Sequence, residues 1–161
     1  MARPELRLKN VTEGGTNDRL VEVTRADGEE CEVRVLDGHL FVCNACCCGN
    51  VERGFPEVPL EEFKSQWKAR GIRRRVHLTV SGCLGPCAVA NVVLLILYGR
   101  VVWLHSIDSP HQVKAIYDFI ERSLAAEECL PLDESLALYE FDRFNFDSLA
   151  QVGGRPHARS L

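Results

Sequence analysis

The chain has 161 residues, enough for one ordinary domain or one domain with appendages. Hydrophobic residues at 46% and charged residues at 26% exclude wholesale disorder. A net charge of -4, from 19 basic and 23 acidic residues, lacks the basic excess of a nucleic-acid binder. The outlier is cysteine, with eight residues against a single Met. Met1-Ala2-Arg3-Pro4-Glu5-Leu6-Arg7 has no apolar stretch of the signal-peptide kind. The chain is also long enough to build a core without disulfides. A cytoplasmic protein is therefore expected, with its thiols engaged in metal or redox chemistry. No stretch reaches the roughly 18 apolar residues of a membrane helix.

In chain order, residues 1–37 read as a β-rich appendage. Residues 20–24 and 31–35 largely alternate apolar and polar, and Ala26-Asp27-Gly28-Glu29 between them carries the Asp-Gly hairpin signal. Gly14 and Gly15 mark another loop. His39-Leu40-Phe41-Val42-Cys43 is a short apolar strand, followed by a loop rich in Cys, Gly and Pro up to Pro59. Leu60, Phe63 and Trp67 recur at helical spacing, predicting a helix that ends near Gly71. Val76, Leu78 and Val80 predict a strand, and a second cysteine loop spans residues 81–88. Residues 91–98 and 100–105 read as a hairpin around Gly99. Asp108-Ser109-Pro110 signals a helix start, and Val113, Ile116, Tyr117, Ile120 and Leu124 form its apolar stripe to about Glu127. The core segment, residues 38–128, thus has the order β-α-β-β-β-α, an α/β class. Residues 129–161 form a tail with Tyr139, Phe141, Phe144 and Phe146. It fades into Gly153-Gly154-Arg155-Pro156, where mobility is expected.

Six cysteines fall in the two loops: Cys43, Cys46, Cys47 and Cys48 in the first, Cys83 and Cys87 in the second. Cys31 and Cys129 stand apart and read as packing residues. Two strands joined through one helix run parallel, so their following loops share one end of the sheet. The fold therefore brings both groups together, and four thiolates there make a soft-metal site. Structural zinc and iron–sulfur clusters both use four cysteines. A [4Fe–4S] run needs a third cysteine where Gly49 stands. The second pair, Cys83-Leu84-Gly85-Pro86-Cys87, is C-x3-C, not the C-x2-C of a zinc ribbon. What remains is C-x4-C (Cys43, Cys48) plus C-x3-C (Cys83, Cys87), which suits a [2Fe–2S] rhomb. Sterics leave Cys46 and Cys47 open as substitutes for Cys48. If the segment is extended, neighbours point oppositely, so Cys47 turns away and Cys46 stays in reach.

Cys43-x4-Cys48, then Cys-Leu-Gly-Pro-Cys-Ala-Val-Ala-Asn-Val-Val, resembles the thioredoxin-like [2Fe–2S] ferredoxins. It is similar also to the small [2Fe–2S] subunit of complex I and of NAD-reducing hydrogenases. Phe41-Val42-Cys43-Asn44-Ala45-Cys46-Cys47-Cys48-Gly49 looks most like ferredoxin-domain proteins encoded beside cobaltochelatase genes. The resemblance covers residues 38–128. It implies a thioredoxin-like fold, one [2Fe–2S] cluster on Cys43, Cys48, Cys83 and Cys87, and one-electron transfer to or from a partner redox enzyme. It also implies a homodimer. The β-rich N-terminus, the aromatic tail and the three consecutive cysteines depart from the family pattern.

Gly49 and Gly85 are positions where a backbone N–H could approach cluster sulfur and tune its potential. Pro86 would stiffen the second loop. The alternatives are a structural four-cysteine zinc protein acting as an assembly factor, a dithiol oxidoreductase using Cys43-Asn44-Ala45-Cys46, or plain buried thiols. Neither cysteine loop holds a histidine, so a Rieske site is excluded. Arg70, Arg73, Arg74 and Arg75 with Lys64 and Lys68 read as a solvated helix end, with docking of an acidic partner as the other option. No Walker motif, dinucleotide fingerprint or nucleophile elbow appears, so a catalytic residue set is not expected. The apolar run Val92-Val93-Leu94-Leu95-Ile96-Leu97 predicts a strand covered on both faces, one by helices and one by a second subunit or the appended segments.

Overall fold

The computed structural model describes residues 7–11 and 18–144. Gly14, Gly15, Phe146 and Gly153-Gly154-Arg155-Pro156, assigned above to a loop and to the tail, lie outside the described residues. The first element is a three-stranded antiparallel sheet of β1 (Arg7–Val11), β2 (Asp18–Thr24) and β3 (Glu30–Arg34), in that order. Strands β2 and β3 are the two expected ones, and β1 is an addition that the short Arg-Leu-Lys-Asn-Val segment did not announce. The turn between β2 and β3 closes through Gly28, whose φ of 88° is left-handed, with the Arg25 and Glu29 backbones hydrogen-bonded at 2.8 Å.

Asp37 ties this sheet to the rest. Its carboxylate, 4% exposed, pairs with Arg19 of β2 and accepts from Arg75 Nε at 2.5 Å. Arg75 also donates to the Tyr98 hydroxyl at 2.8 Å.

The main body contains β4 (Gly38–Cys43), α1 (Leu60–Ala69), β5 (Val76–Ser81), β6 (Val93–Leu97), β7 (Arg100–Leu104) and α2 (Pro110–Ala126). This is the β-α-β-β-β-α order read from the sequence. The sheet order is β5-β4-β6-β7-β8, where β8 (Glu140–Phe141) follows a short α3 (Glu134–Ala137). Strands β4 and β5 pair in parallel through the α1 crossover, and the remaining pairs are antiparallel. The β6–β7 turn places Tyr98 at φ 49° and Gly99 at φ 80°, the two left-handed positions that match the strand twist. Helix α2 starts as its sequence predicts. Ser109 caps it with a reciprocal capping box to Gln112, and Pro110 fills the first turn.

Alternation of side chains along the strands sorts the two faces. Leu40, Val42, Leu95, Leu97, Val102 and Leu104 join Phe63 of α1 and Val113, Ile116, Tyr117 and Ile120 of α2, each at most 1% exposed. The Tyr117 hydroxyl donates to the Phe63 carbonyl at 2.8 Å, fixing α2 on α1. The opposite face carries His39, Phe41, Leu94, Ile96 and Trp103, all partly exposed, and Val101, 50% exposed. Strand β6 is thus buried unevenly, with full coverage on the helix side only.

Two segments pack more closely than their sequence alone indicates. The segment after residue 128 covers the domain's own core, the commoner role of such aromatic residues. Leu136 at 0% and Phe141 at 3% exposure enter the core, and Phe141 pairs with Trp103 as the fifth strand of the sheet. Apolar burial and an open β7 edge supply the driving force. Arg70 is not free for docking. It pairs with Asp118 at 2.7 Å and with Glu121, and its guanidinium lies 5.8 Å from the Tyr117 ring centre. Among the described residues, no helix is long and apolar enough to cross a membrane.

Candidate metal centre

Parallel pairing sets Cys43, the last residue of β4, opposite Ser81, the last of β5. Both cysteine loops therefore leave the same end of the sheet, as their topology requires. The first loop is a run of tight turns. Cys48 N–H donates to the Ala45 carbonyl and Asn50 N–H to the Cys47 carbonyl, each at 3.1 Å, and Cys46 sits at φ 56°. The extended segment assumed for the cysteine triplet is thus not formed. Strand alternation does not govern where its side chains go: Cys47 at 9% and Cys48 at 4% exposure are both buried, while Cys46 is exposed.

The start of β6 holds this loop from beneath. The Val92 carbonyl accepts from Cys43 N–H at 3.0 Å, and Val92 N–H donates to Cys48 Sγ at 3.4 Å. Beside it Asn91, 1% exposed, accepts from Gly49 N–H at 2.9 Å through Oδ1. Its Nδ2 donates to the carbonyls of Pro56 at 3.2 Å and Glu57 at 3.1 Å, and to Asp108 Oδ1 at 2.9 Å. One amide thus joins the first cysteine loop, the approach to α1 and the approach to α2. Gly49 must be glycine here: its φ is 76°, and a Cβ would stand 2.8 Å from Asn44 Oδ1.

The second loop is more open. Cys83 is exposed and Cys87 half-buried, and their Sγ atoms are 3.4 Å apart. Gly85 at φ 112° allows the tight return, with Cys87 N–H donating to its carbonyl at 2.8 Å.

The thiols sense one another across the loops. Cys48 contacts the Cys43 thiol, and burial above all pushes its pKa up to about 12, against the opposing Val92 N–H. Cys87, donating to Cys83, is also pushed up to about 12. Cys83 is held below the ordinary thiol value, first by the Cys87 hydrogen bond and then by Gly85 N–H. Cys46 is raised by its hydrogen bond to Cys83. Of the two glycine donors expected from the sequence, Gly85 N–H reaches cysteine sulfur. Gly49 N–H instead serves Asn91, and Val92 N–H supplies the sulfur contact in the first loop.

All four sequence-selected cysteines are brought to this end of the sheet, with Cys46 and Cys47 among them. Cys31 on β3 and Cys129 beyond α2 stand elsewhere: Cys31 donates to the Val23 carbonyl at 3.4 Å. Sequence reading missed Asn91 and Val92. The available signal was a lone amide at the head of an apolar strand, just after the second cysteine loop.

Among the described residues, no three His, Cys, Asp or Glu side chains converge on one ion-sized point. The four selected thiols form two contacting pairs instead. Two sulfurs on one tetrahedral metal, with bonds of about 2.3 Å, stand about 3.8 Å apart. The Cys83–Cys87 separation of 3.4 Å is close to that value, so this pair fits one metal.

The chain matches no protein-family model and no curated protein. Among solved structures it is similar to the wild-type thioredoxin-like [2Fe-2S] ferredoxin from Aquifex aeolicus. That likeness has a TM-score of 0.44 and 19% identity, over 68% of this chain and 100% of that one. A second structure of a thioredoxin-like [2Fe-2S] ferredoxin from Aquifex aeolicus gives a TM-score of 0.43 and 21% identity, over 78% of this chain and 100% of that one.

Proposed function

We propose that this protein is a one-electron carrier that holds a single [2Fe–2S] cluster through Cys43, Cys48, Cys83 and Cys87. The observation that carries this reading is the meeting of the two cysteine loops at one sheet end, where Cys48 contacts Cys43, Cys87 contacts Cys83, and Cys46 links the loops through Cys83. A binuclear rhomb takes two thiolates per iron, so each pair serves one metal. When bound, the cluster supplies reversible one-electron chemistry. The chain supplies everything else: four thiolates, Val92 N–H and Gly85 N–H as donors to sulfur, and a packed sheet end that keeps Cys43 and Cys48 dry. The partner is a redox protein of an oxidoreductase, hydrogenase-like or cobaltochelatase system, and the setting is the cytoplasm. The partly exposed sheet face of Phe41, Leu94, Ile96, Val101 and Trp103 meets a second copy in a homodimer. Iron and labile-sulfide analysis tests the central reading: two of each per chain in a red-brown preparation are expected. A colourless protein with one zinc, after expression with ample iron, overturns it in favour of a structural zinc site. Light scattering that gives a monomer mass at micromolar concentration overturns the dimer.

A further inference from the structure

The C-terminal segment reaches back to the metal centre. Strand β8 is fixed by Phe141, which is 3% exposed and lies 5.9 Å from the Trp103 ring. Two residues later Arg143, partly buried, lays its guanidinium on Gly85, the middle residue of the second cysteine loop. A Cβ built on Gly85 would stand 3.0 Å from Arg143 Nη2 and 3.8 Å from Nε and Cζ. The absent side chain lets the guanidinium lie against the loop backbone without the few tenths of an ångström of retreat that a Cβ would impose. Consecutive Cα atoms are about 3.8 Å apart, so the Cα of Gly85 is at most about 7.6 Å from those of Cys83 and Cys87. Adding the Cα–Cβ bond and the 3.0 Å approach puts Arg143 Nη2 at most about 12 Å from the Cα atoms of Cys83 and Cys87, on the order of one Debye length, beside a loop whose Cys83 and Gly85 are exposed.

We infer that Arg143 is a potential-tuning residue of the cluster, delivered to the second cysteine loop by the β8 extension. The inference rests on the proposed [2Fe–2S] reading. Four thiolates give such a cluster a net negative charge, and reduction adds one electron and no proton. A fixed cation beside the ligands stabilises the reduced form over the oxidised one and raises the potential. Arginine stays protonated throughout, so this contribution is independent of pH.

The test is a spectroelectrochemical titration of the full-length protein and of R143K, R143Q and R143E, each with iron and sulfide measured. R143K should keep most of the parent potential. R143Q should shift it negative and R143E further negative, at unchanged iron and sulfide content. Rising salt should shrink the difference between the parent and R143Q. A shift that follows charge at one position separates tuning from mere packing, since a packing defect would not order K, Q and E by charge. Equal potentials for R143Q, R143E and the parent, with clusters intact, overturn the inference and leave the ferredoxin reading standing. A parent protein without iron overturns both.

Discussion

The two cysteine loops leave the same end of one sheet, yet they are built differently. The first is buried and tied down: Cys43 is 2% and Cys48 4% exposed, and Asn91 and Val92 bind the loop backbone from below. The second is a short, glycine-hinged return with an exposed Cys83, steadied by its own Cys87 and flanked at Gly85 by Arg143. An inner pair belonging to the core and an outer pair facing solvent suit an electron carrier. In the proposed carrier the inner loop would give rigidity, and the exposed outer loop would be the shorter path to a partner.

The largest effects should come from the four proposed ligands and should differ between loops. Cys43→Ser and Cys48→Ser should abolish the visible spectrum and also lower the melting temperature, because a hydroxyl replaces a buried thiol in the core. Cys83→Ser and Cys87→Ser should abolish or strongly perturb the spectrum and leave the metal-free fold near parent stability. Cys47→Ser should keep a near-native visible and paramagnetic-resonance spectrum. A bleached Cys47→Ser beside a coloured Cys48→Ser would reassign the inner ligand to Cys47.

Next in size is the clamp beneath the inner loop. Asn91→Ala strands Gly49 N–H and removes the donor from two carbonyls and Asp108. Each buried polar group left unpaired costs about 1–3 kcal/mol. Urea unfolding should therefore show a loss of that order or more. Asn91→Asp should do no better, since it sets a second carboxylate against Asp108, whose own pKa burial already raises. A parent-like midpoint for Asn91→Ala would mean that the inner loop is held by its own turns alone.

A kinetic contrast follows in the metal-free protein. Iodoacetamide with mass mapping should find Cys83 modified first, since it is exposed and held below the ordinary thiol value. Cys43 and Cys48 should be modified last, at rates set by opening of the core. Equal rates at all four would erase the distinction between the loops.

The smallest effect concerns the strands that carry the loops. His39 on β4 stacks on Phe41 at 3.8 Å, and burial, then the neighbouring His77, lowers its pKa. Burial also lowers that of His105, beyond β7. Both therefore take up a proton less readily in the fold than in the unfolded chain, which binds more protons below the ordinary His value of 6.5. The stability they contribute is complete above that value and is lost as pH falls through it toward the lowered values. Asp118 and Asp133, lowered by hydrogen bonds to Lys114 and Ser135, lose theirs only further down, below the ordinary carboxylate value. The melting temperature should decline from pH 7 to 5, and His39→Asn with His105→Asn should flatten that slope.

Much of this architecture was legible beforehand because its signals are local. The period of Leu60, Phe63 and Trp67, the Ser109-Pro110 helix start and the turn at Gly99 each depend on residues a few positions apart. The site was half legible. Two cysteine groups, each following a strand, meet wherever those strands run parallel, and α1 provides the crossover. The orientation within Cys46-Cys47-Cys48 was not readable, because tight turns replaced the extended backbone that alternation assumes.

The sequence by itself determined the element order of residues 38–128, the grouping of the cysteines after two strands and the apolar stripes of both long helices. Spacing along the chain dictates these before any long-range contact forms. Tertiary structure alone decided what supports the thiols. Asn91 meets Gly49 across 42 positions and Val92 meets Cys48 across 44, while Arg143 comes to Gly85 only because β8 closes the open edge of β7. Each of these contacts joins segments that no periodic signal links. Their partners are chosen by packing, where a buried amide, a backbone N–H or a guanidinium must find the group that satisfies it.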